Sequence, residues 1–256
     1  NFIHGEQAVG VTPAEERIRN NPASELWGEH RSRYRFVSQL ASRGSRVLDV
    51  ACGSGFGLQM LLRAGACPIG IDLDVSALAE ARAVAPAAAV VRAEAARLPL
   101  PTASIDLVAS FETIEHVSDA AALAAELRRV LRPGGWLVLS TPNRAFGPPE
   151  RLASNPYHVR EFSGEELLDL LRQHFEEVRL HGQWVAPSYR YVPYLLVEPR
   201  RTLAAVIWKV LNRLPFAVKD ALAWFLSGRP FYPGEADYAF VPDRWQGAHA
   251  LLALAR

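Results

Sequence analysis

Residues 46–57 read Arg46-Val47-Leu48-Asp49-Val50-Ala51-Cys52-Gly53-Ser54-Gly55-Phe56-Gly57, and no other stretch restricts the fold as much. Val47-Leu48 and Val50-Ala51 make a short apolar run of the kind that becomes a buried strand, and a glycine-rich turn ends it. Leu58-Gln59-Met60-Leu61-Leu62-Arg63 then resumes at helical spacing. Strand, glycine turn and helix form the half-unit that receives nucleotide-like ligands at the carboxyl edge of a parallel sheet. Glycines let the backbone approach a ligand, and the new helix presents unpaired N–H groups. Asp49 is the odd residue. A carboxylate there works against a pyrophosphate but suits a ligand carrying an ammonium or a sulfonium.

The rest of the chain repeats the alternation. Cys67-Pro68-Ile69-Gly70-Ile71-Asp72 is a second short strand ending in an acid. Asp72 follows the glycine turn at close to the ~20 residues expected of an acid that bonds ribose hydroxyls. Asp74 suits the N-cap of the helix from Val75 to Arg82, which leaves Asp72 for the ligand. Residues 88–92, 104–110 and 136–140 read as the third to fifth strands, and 119–132 as an amphipathic helix stopped by Pro133-Gly134-Gly135. A helix over 165–171 precedes a sixth strand at 175–180, and 249–255 is the remaining candidate for a seventh. Such alternation predicts a doubly wound, mostly parallel α/β sheet.

Two segments stand outside that rhythm. Residues 1–45 form an N-terminal segment whose helix, 25–40, carries Tyr34, Val37 and Leu40 on an apolar edge, with Arg31, Arg33 and Arg35 expected in solvent. His30 and Tyr34 share one face, near enough to reach a ligand mouth. Residues 184–245 hold more than half of the chain's aromatic side chains and read as a helical lid inserted between a core of 46–183 and a final core strand within 246–256. Within the lid, 200–226 has helical period and is ringed by Lys209, Arg213 and Lys219.

Formal net charge is +1 with 21% charged residues, which gives no bulk field for nucleic acid. No apolar run is long enough to span a bilayer. Cys52 and Cys67 lack metal-motif partners, so reduced thiols and a cytoplasmic location are expected.

The order of these motifs resembles the class I S-adenosylmethionine-dependent methyltransferases, and most of all the branch with quinone and sugar O-methyltransferases. The matching segments run from Val47 to Gly55, through Gly70-Ile71-Asp72 and Leu98-Pro99 with Ile105-Asp106-Leu107-Val108. They continue in Phe111-Glu112-Thr113-Ile114-Glu115-His116-Val117 and Leu131-Arg132-Pro133-Gly134-Gly135, ending at Ser140-Thr141-Pro142-Asn143. The resemblance covers about 25–183 and the terminal strand. It implies a Rossmann-like sheet of seven strands with the last antiparallel. It also implies S-adenosylmethionine as cofactor: Asp49, Gly53 and Gly55 at the methionine moiety with Ala51 and Tyr34 beside them, and Asp72 at the ribose. Leu73 would pack on adenine with Glu94 and Ala95 at its edge, and Ser110 and Phe111 would line the wall. Glu94 departs from the family's usual Asp. A dinucleotide reading fails because Leu58 stands where the third glycine of that fingerprint belongs.

Methyl transfer from a sulfonium requires an aligned nucleophile and, for a hydroxyl, a base. His116 is the candidate base, with Glu112 as a substrate contact. Glu112, Glu115, His116 and His158 alternatively resemble the metal quartet of small-RNA 2′-O-methyltransferases, and the first three resemble metal-using quinone O-methyltransferases. A divalent cation such as Mg there would lower a hydroxyl's pKa. The expected activity is O-methylation of a small-molecule or glycan hydroxyl. A membrane-proximal quinone or lipid methyltransferase with peripheral membrane contact, and a non-catalytic cofactor-binding module, are the alternatives.

Overall fold

The computed structural model describes residues 27–146, 157–189 and 213–256. Helix α1 (Trp27–Leu40) leads into β1 (Arg46–Val50), α2 (Phe56–Arg63), β2 (Cys67–Asp72), α3 (Val75–Val84) and β3 (Ala89–Arg92). Then come β4 (Ile105–Phe111), α4 (Ala120–Val130), β5 (Leu131–Pro142), α5 (Gly164–Arg172) and β6 (Val178–Val185). Helix α6 (Phe216–Ser227), β7 (Tyr238–Pro242) and β8 (Ala250–Ala255) complete the order.

The strands form one sheet in the order β3-β2-β1-β4-β5-β8-β6-β7. The first five are parallel; β8 lies antiparallel between β5 and β6, and β7 runs antiparallel to β6. The seven-stranded expectation is therefore corrected to eight. The extra strand comes from the stretch read as helical lid. Tyr238-Ala239-Phe240-Val241-Pro242 is short and aromatic, so its alternation was hidden, and Pro242 suits it to a sheet edge, where a missing N–H costs no ladder bond.

Alternation places successive strand residues on opposite faces. Leu48 and Val50 pack with Leu123, Leu127 and Val130 of α4, whereas Val47 packs with Tyr34 and Val37 of α1. Helices therefore cover both faces, as a parallel sheet requires. The α2 entry depends on two glycines. Gly55 sits at φ 79°, where a Cβ would also meet Ala81 at 2.7 Å; a Cβ on Gly57 would overlap the Tyr34 ring at 2.1 Å. Asp74 caps α3 as expected, accepting from the N–H groups of Ser76 and Ala77.

In the 184–245 stretch, Trp184 belongs to β6, and Tyr189 is buried against Phe146, Val185 and Ala186. Tyr191, Tyr194 and Lys209 lie outside the described residues. The helix expected over 200–226 begins, in its described part, at Phe216 behind Pro215, whose fixed φ suits a helix start.

Candidate functional site

The strand order reverses direction between β1 and β4, and the carboxyl ends of these two strands frame the site, as in other open α/β sheets. Two non-glycine residues there adopt left-handed backbone, Ala51 (φ 60°) and Glu112 (φ 48°). Such positions cost roughly 1–3 kcal/mol each and cluster where function needs the geometry.

Asp49 is fully buried, and the Tyr34 hydroxyl of α1 lies 3.1 Å from both of its carboxylate oxygens. Burial pushes the Asp49 carboxyl up to about 8, against the lowering effect of the Tyr34 bond and with a further push from Asp72. Near neutral pH the Asp49 carboxyl therefore keeps its proton in the ligand-free protein. Phe56 and Phe111 pack edge-on against Tyr34 at 5.1 and 5.0 Å and fix its ring. Asp72, left for the ligand because Asp74 takes the cap, also has partners within the chain. Its Oδ2 accepts from the Gly53 N–H and its Oδ1 from the Asp74 N–H, both at 2.9 Å, which ties the glycine turn to the end of β2. Each oxygen keeps a lone pair. Leu73 beside it is 55% exposed, while Glu94 is exposed and Ala95 half-buried. Ser110 is fully buried at the end of β4, and its Oγ has no hydrogen-bond partner among the described residues.

Beyond β4 the acids and histidines separate into two groups. Glu112 accepts from the Ser140 hydroxyl at 2.9 Å and forms an ion pair with Arg33, Nη1 to Oε1 2.9 Å. Glu115 is fully buried in a one-turn 3-10 helix (Ile114–His116), accepts from the Thr141 hydroxyl at 2.9 Å, and leaves Oε1 without a hydrogen bond. Burial, reinforced by Glu112, raises its carboxyl well above the ordinary range. The Glu115 carbonyl accepts from the N–H groups of Val159 and Arg160, at 2.8 and 3.2 Å, and this draws the neighbouring segment in. The rings of His116 and His158 consequently meet edge-on, 4.9 Å apart. His116 Nδ1 lies 3.1 Å from the Tyr157 carbonyl, and His158 Nδ1 lies 2.9 Å from Glu161 Oε1. Glu115, His116 and His158 offer ligand atoms all within 4.8 Å of one another; Glu112 is not in that group. The expected quartet is therefore a trio.

Arg33 is the largest correction. It is fully buried, not in solvent; its Nε donates to Gln183 Oε1 at 2.8 Å and Nη2 pairs with Glu29. Burial alone would raise the Glu29 carboxyl, but His249 and Arg33 hold it well below the usual carboxylate range. Gln183 in turn donates to Ser32 Oγ at 2.9 Å and the Glu29 carbonyl at 3.1 Å. Removing one partner of such a buried pair costs about 3–5 kcal/mol, so this cluster fixes α1 against the sheet. Glu29, Gln183 and His249 went unseen in the sequence. The available signal was Glu29 four residues ahead of Arg33, next to Tyr34. His30 is half-buried, and burial with the neighbouring Arg33 pushes it down to about 3.

A parallel sheet crossed at β1/β4, with a buried acid near the end of β1 and a second acid ending β2, has the layout of a nucleotide-binding α/β fold. Residues 48–139 match the methyltransferase domain family. A probable S-adenosylmethionine-dependent methyltransferase of Mycolicibacterium smegmatis is 42% identical over 129 residues, half of each chain. A ubiquinone biosynthesis O-methyltransferase of Acinetobacter baylyi is 28% identical over 237 residues, covering 74% of this chain and 98% of that one. The crystal structure of an S-adenosylmethionine-dependent methyltransferase from Archaeoglobus fulgidus shares the fold with TM-score 0.60 at 18% identity, over 91% of this chain and 94% of that one. Together these matches support a class I S-adenosylmethionine-dependent methyltransferase domain in this chain. It spans about half the length of the mycobacterial relatives it matches.

Proposed function

We propose that this chain transfers the methyl group of S-adenosylmethionine to a hydroxyl of a small molecule, with His116 as the base. The observation that carries this is the 3.1 Å contact between His116 Nδ1 and the Tyr157 carbonyl. A carbonyl only accepts, so Nδ1 bears the hydrogen and the neutral ring keeps its lone pair on Nε2. The printed name of the Acinetobacter relative supports oxygen as the accepting atom.

The residues fit the cofactor. Asp49 gives the cationic end a buried carboxylate, the Gly53–Gly55 turn admits its backbone approach, Asp72 faces the ribose, and the orphaned Ser110 hydroxyl offers a polar contact on the wall. When bound, the cofactor supplies an electrophilic methyl on sulfur. Alignment of the acceptor by Glu112, held by Arg33 and Ser140, contributes up to ~7–11 kcal/mol. His116 takes the hydroxyl proton at Nε2.

Asp72→Ala is expected to weaken cofactor binding several-fold, with Asp72→Asn intermediate because one acceptor oxygen remains. Titration calorimetry giving unchanged affinity for both would remove the ribose assignment.

A second reading adds a divalent cation at Glu115, His116 and His158, favoured by the 4.8 Å cluster and by the unbonded Glu115 Oε1. Bound there, the ion would lower the pKa of the acceptor hydroxyl. One experiment addresses both readings: methyl-labelled cofactor is incubated with metabolite pools, with and without chelator, and the labelled product identified. A labelled ether is expected. Label on nitrogen or carbon sinks the hydroxyl assignment, and loss of product with chelator selects the metal.

A further inference from the structure

Helix α6 is built inside out. Its two charged residues turn inward: Lys219 is buried, donates to the Tyr232 hydroxyl at 2.9 Å and lies 4.9 Å from the Phe231 ring centroid. Asp220 accepts from the Phe231 N–H at 2.8 Å. The outward residues are apolar. Val218 and Leu222 are 45% and 41% exposed, and Trp224, Phe225 and Leu226 are 53%, 87% and 79% exposed. A surface helix of a water-soluble domain ordinarily shows the reverse arrangement.

The shape of the tip decides what it fits. Trp224, Phe225 and Leu226 are consecutive, so they fan across about 200° of the helix circumference. A groove on another protein meets one stripe of a helix, whereas a fluid apolar medium accepts side chains from the whole fan. The helix stops two residues later at Gly228, in left-handed backbone at φ 66°, so the three side chains form a projecting end. Exposed Arg213 and Arg229 stand before and after the helix, and its only acid is the inward-facing Asp220. Aromatic and leucine side chains at a tip flanked by arginines match the headgroup boundary of an anionic bilayer. No helix among the described residues is long and apolar enough to cross a membrane.

We infer that α6 is a membrane-docking element. Its Trp224-Phe225-Leu226 end enters the headgroup–acyl boundary of a bilayer containing anionic lipid, with the arginines against the headgroups. The inference is independent of which hydroxyl is methylated.

The test is co-sedimentation of the full chain with vesicles of phosphatidylcholine, alone or mixed with phosphatidylglycerol. The wild-type chain is expected in the pellet with the mixed vesicles. The Phe225→Asp/Leu226→Asp double variant should partition about tenfold or more weakly. Unchanged affinity of the variant for S-adenosylhomocysteine in calorimetry shows that the domain is folded, separately from any question about catalysis. Wild-type protein left in the supernatant with both vesicle types overturns the inference. So does a double variant that sediments like wild type. A wild-type dimer in sedimentation velocity that the variant abolishes, without vesicle binding, assigns the face to a second copy instead and equally overturns it.

Discussion

Asp49→Asn is expected to raise the thermal midpoint of the ligand-free protein and to cut its affinity for S-adenosylmethionine by ~100-fold or more. The carboxyl's ordinary value is 3.8, and burial lifts it to about 8 in the folded chain. An unfolded chain releases this proton near the ordinary value, whereas the folded chain keeps it until about pH 8. The fold is therefore progressively disfavoured as pH rises through that window, and the cost is complete above it. An amide carries no such cost and still accepts from the Tyr34 hydroxyl. At pH 8.5 the variant should melt roughly 5 °C or more above wild type, with the gap closing toward pH 4. The cofactor's cationic end binds the ionised carboxylate, so wild-type affinity should rise with pH up to about 8 and binding should release a proton. Scanning and titration calorimetry read both effects. Equal affinity in the variant, or a lower midpoint at pH 8.5, would remove the electrostatic account of the pocket.

The second large effect concerns chemistry rather than binding. His116→Ala should lower kcat by ~10²–10⁴-fold, the usual contribution of a positioned base, while cofactor affinity stays unchanged. A variant with wild-type kcat would exclude His116 as the base. A loss matched by His158→Ala, and reproduced in wild type by chelator, would transfer the role to the cation.

Sequence motifs and folded geometry agree best where the backbone itself carries the message. Asp49, the glycine turn and Asp72 needed no partner to be read, because strand ends and turns announce themselves locally. Asp74 was legible as a cap for the same reason. Arg33 was not, since its burial depends on Gln183 from β6 and on Glu112 just after β4, contacts no local pattern encodes. Glu112 followed suit: its pairing with Arg33, from a helix far back in the chain, could not be read from its spacing to Glu115. Strand β7 escaped because it is short and pairs only with β6, across a long insertion. The inward turn of Lys219 likewise required knowing where Tyr232 lies.

The bond from Arg33 to Gln183 joins residues 150 positions apart, and Tyr34, the next residue, is the one that covers Asp49. Tyr34 packs on residues before β5, whereas its neighbour Arg33 gains Gln183 only once the long loop to β6 has closed, a closure that costs chain entropy. A chain cut before β6 is therefore expected to keep Asp49, the glycine turn and Asp72 but to hold α1 over them less firmly than the full chain does.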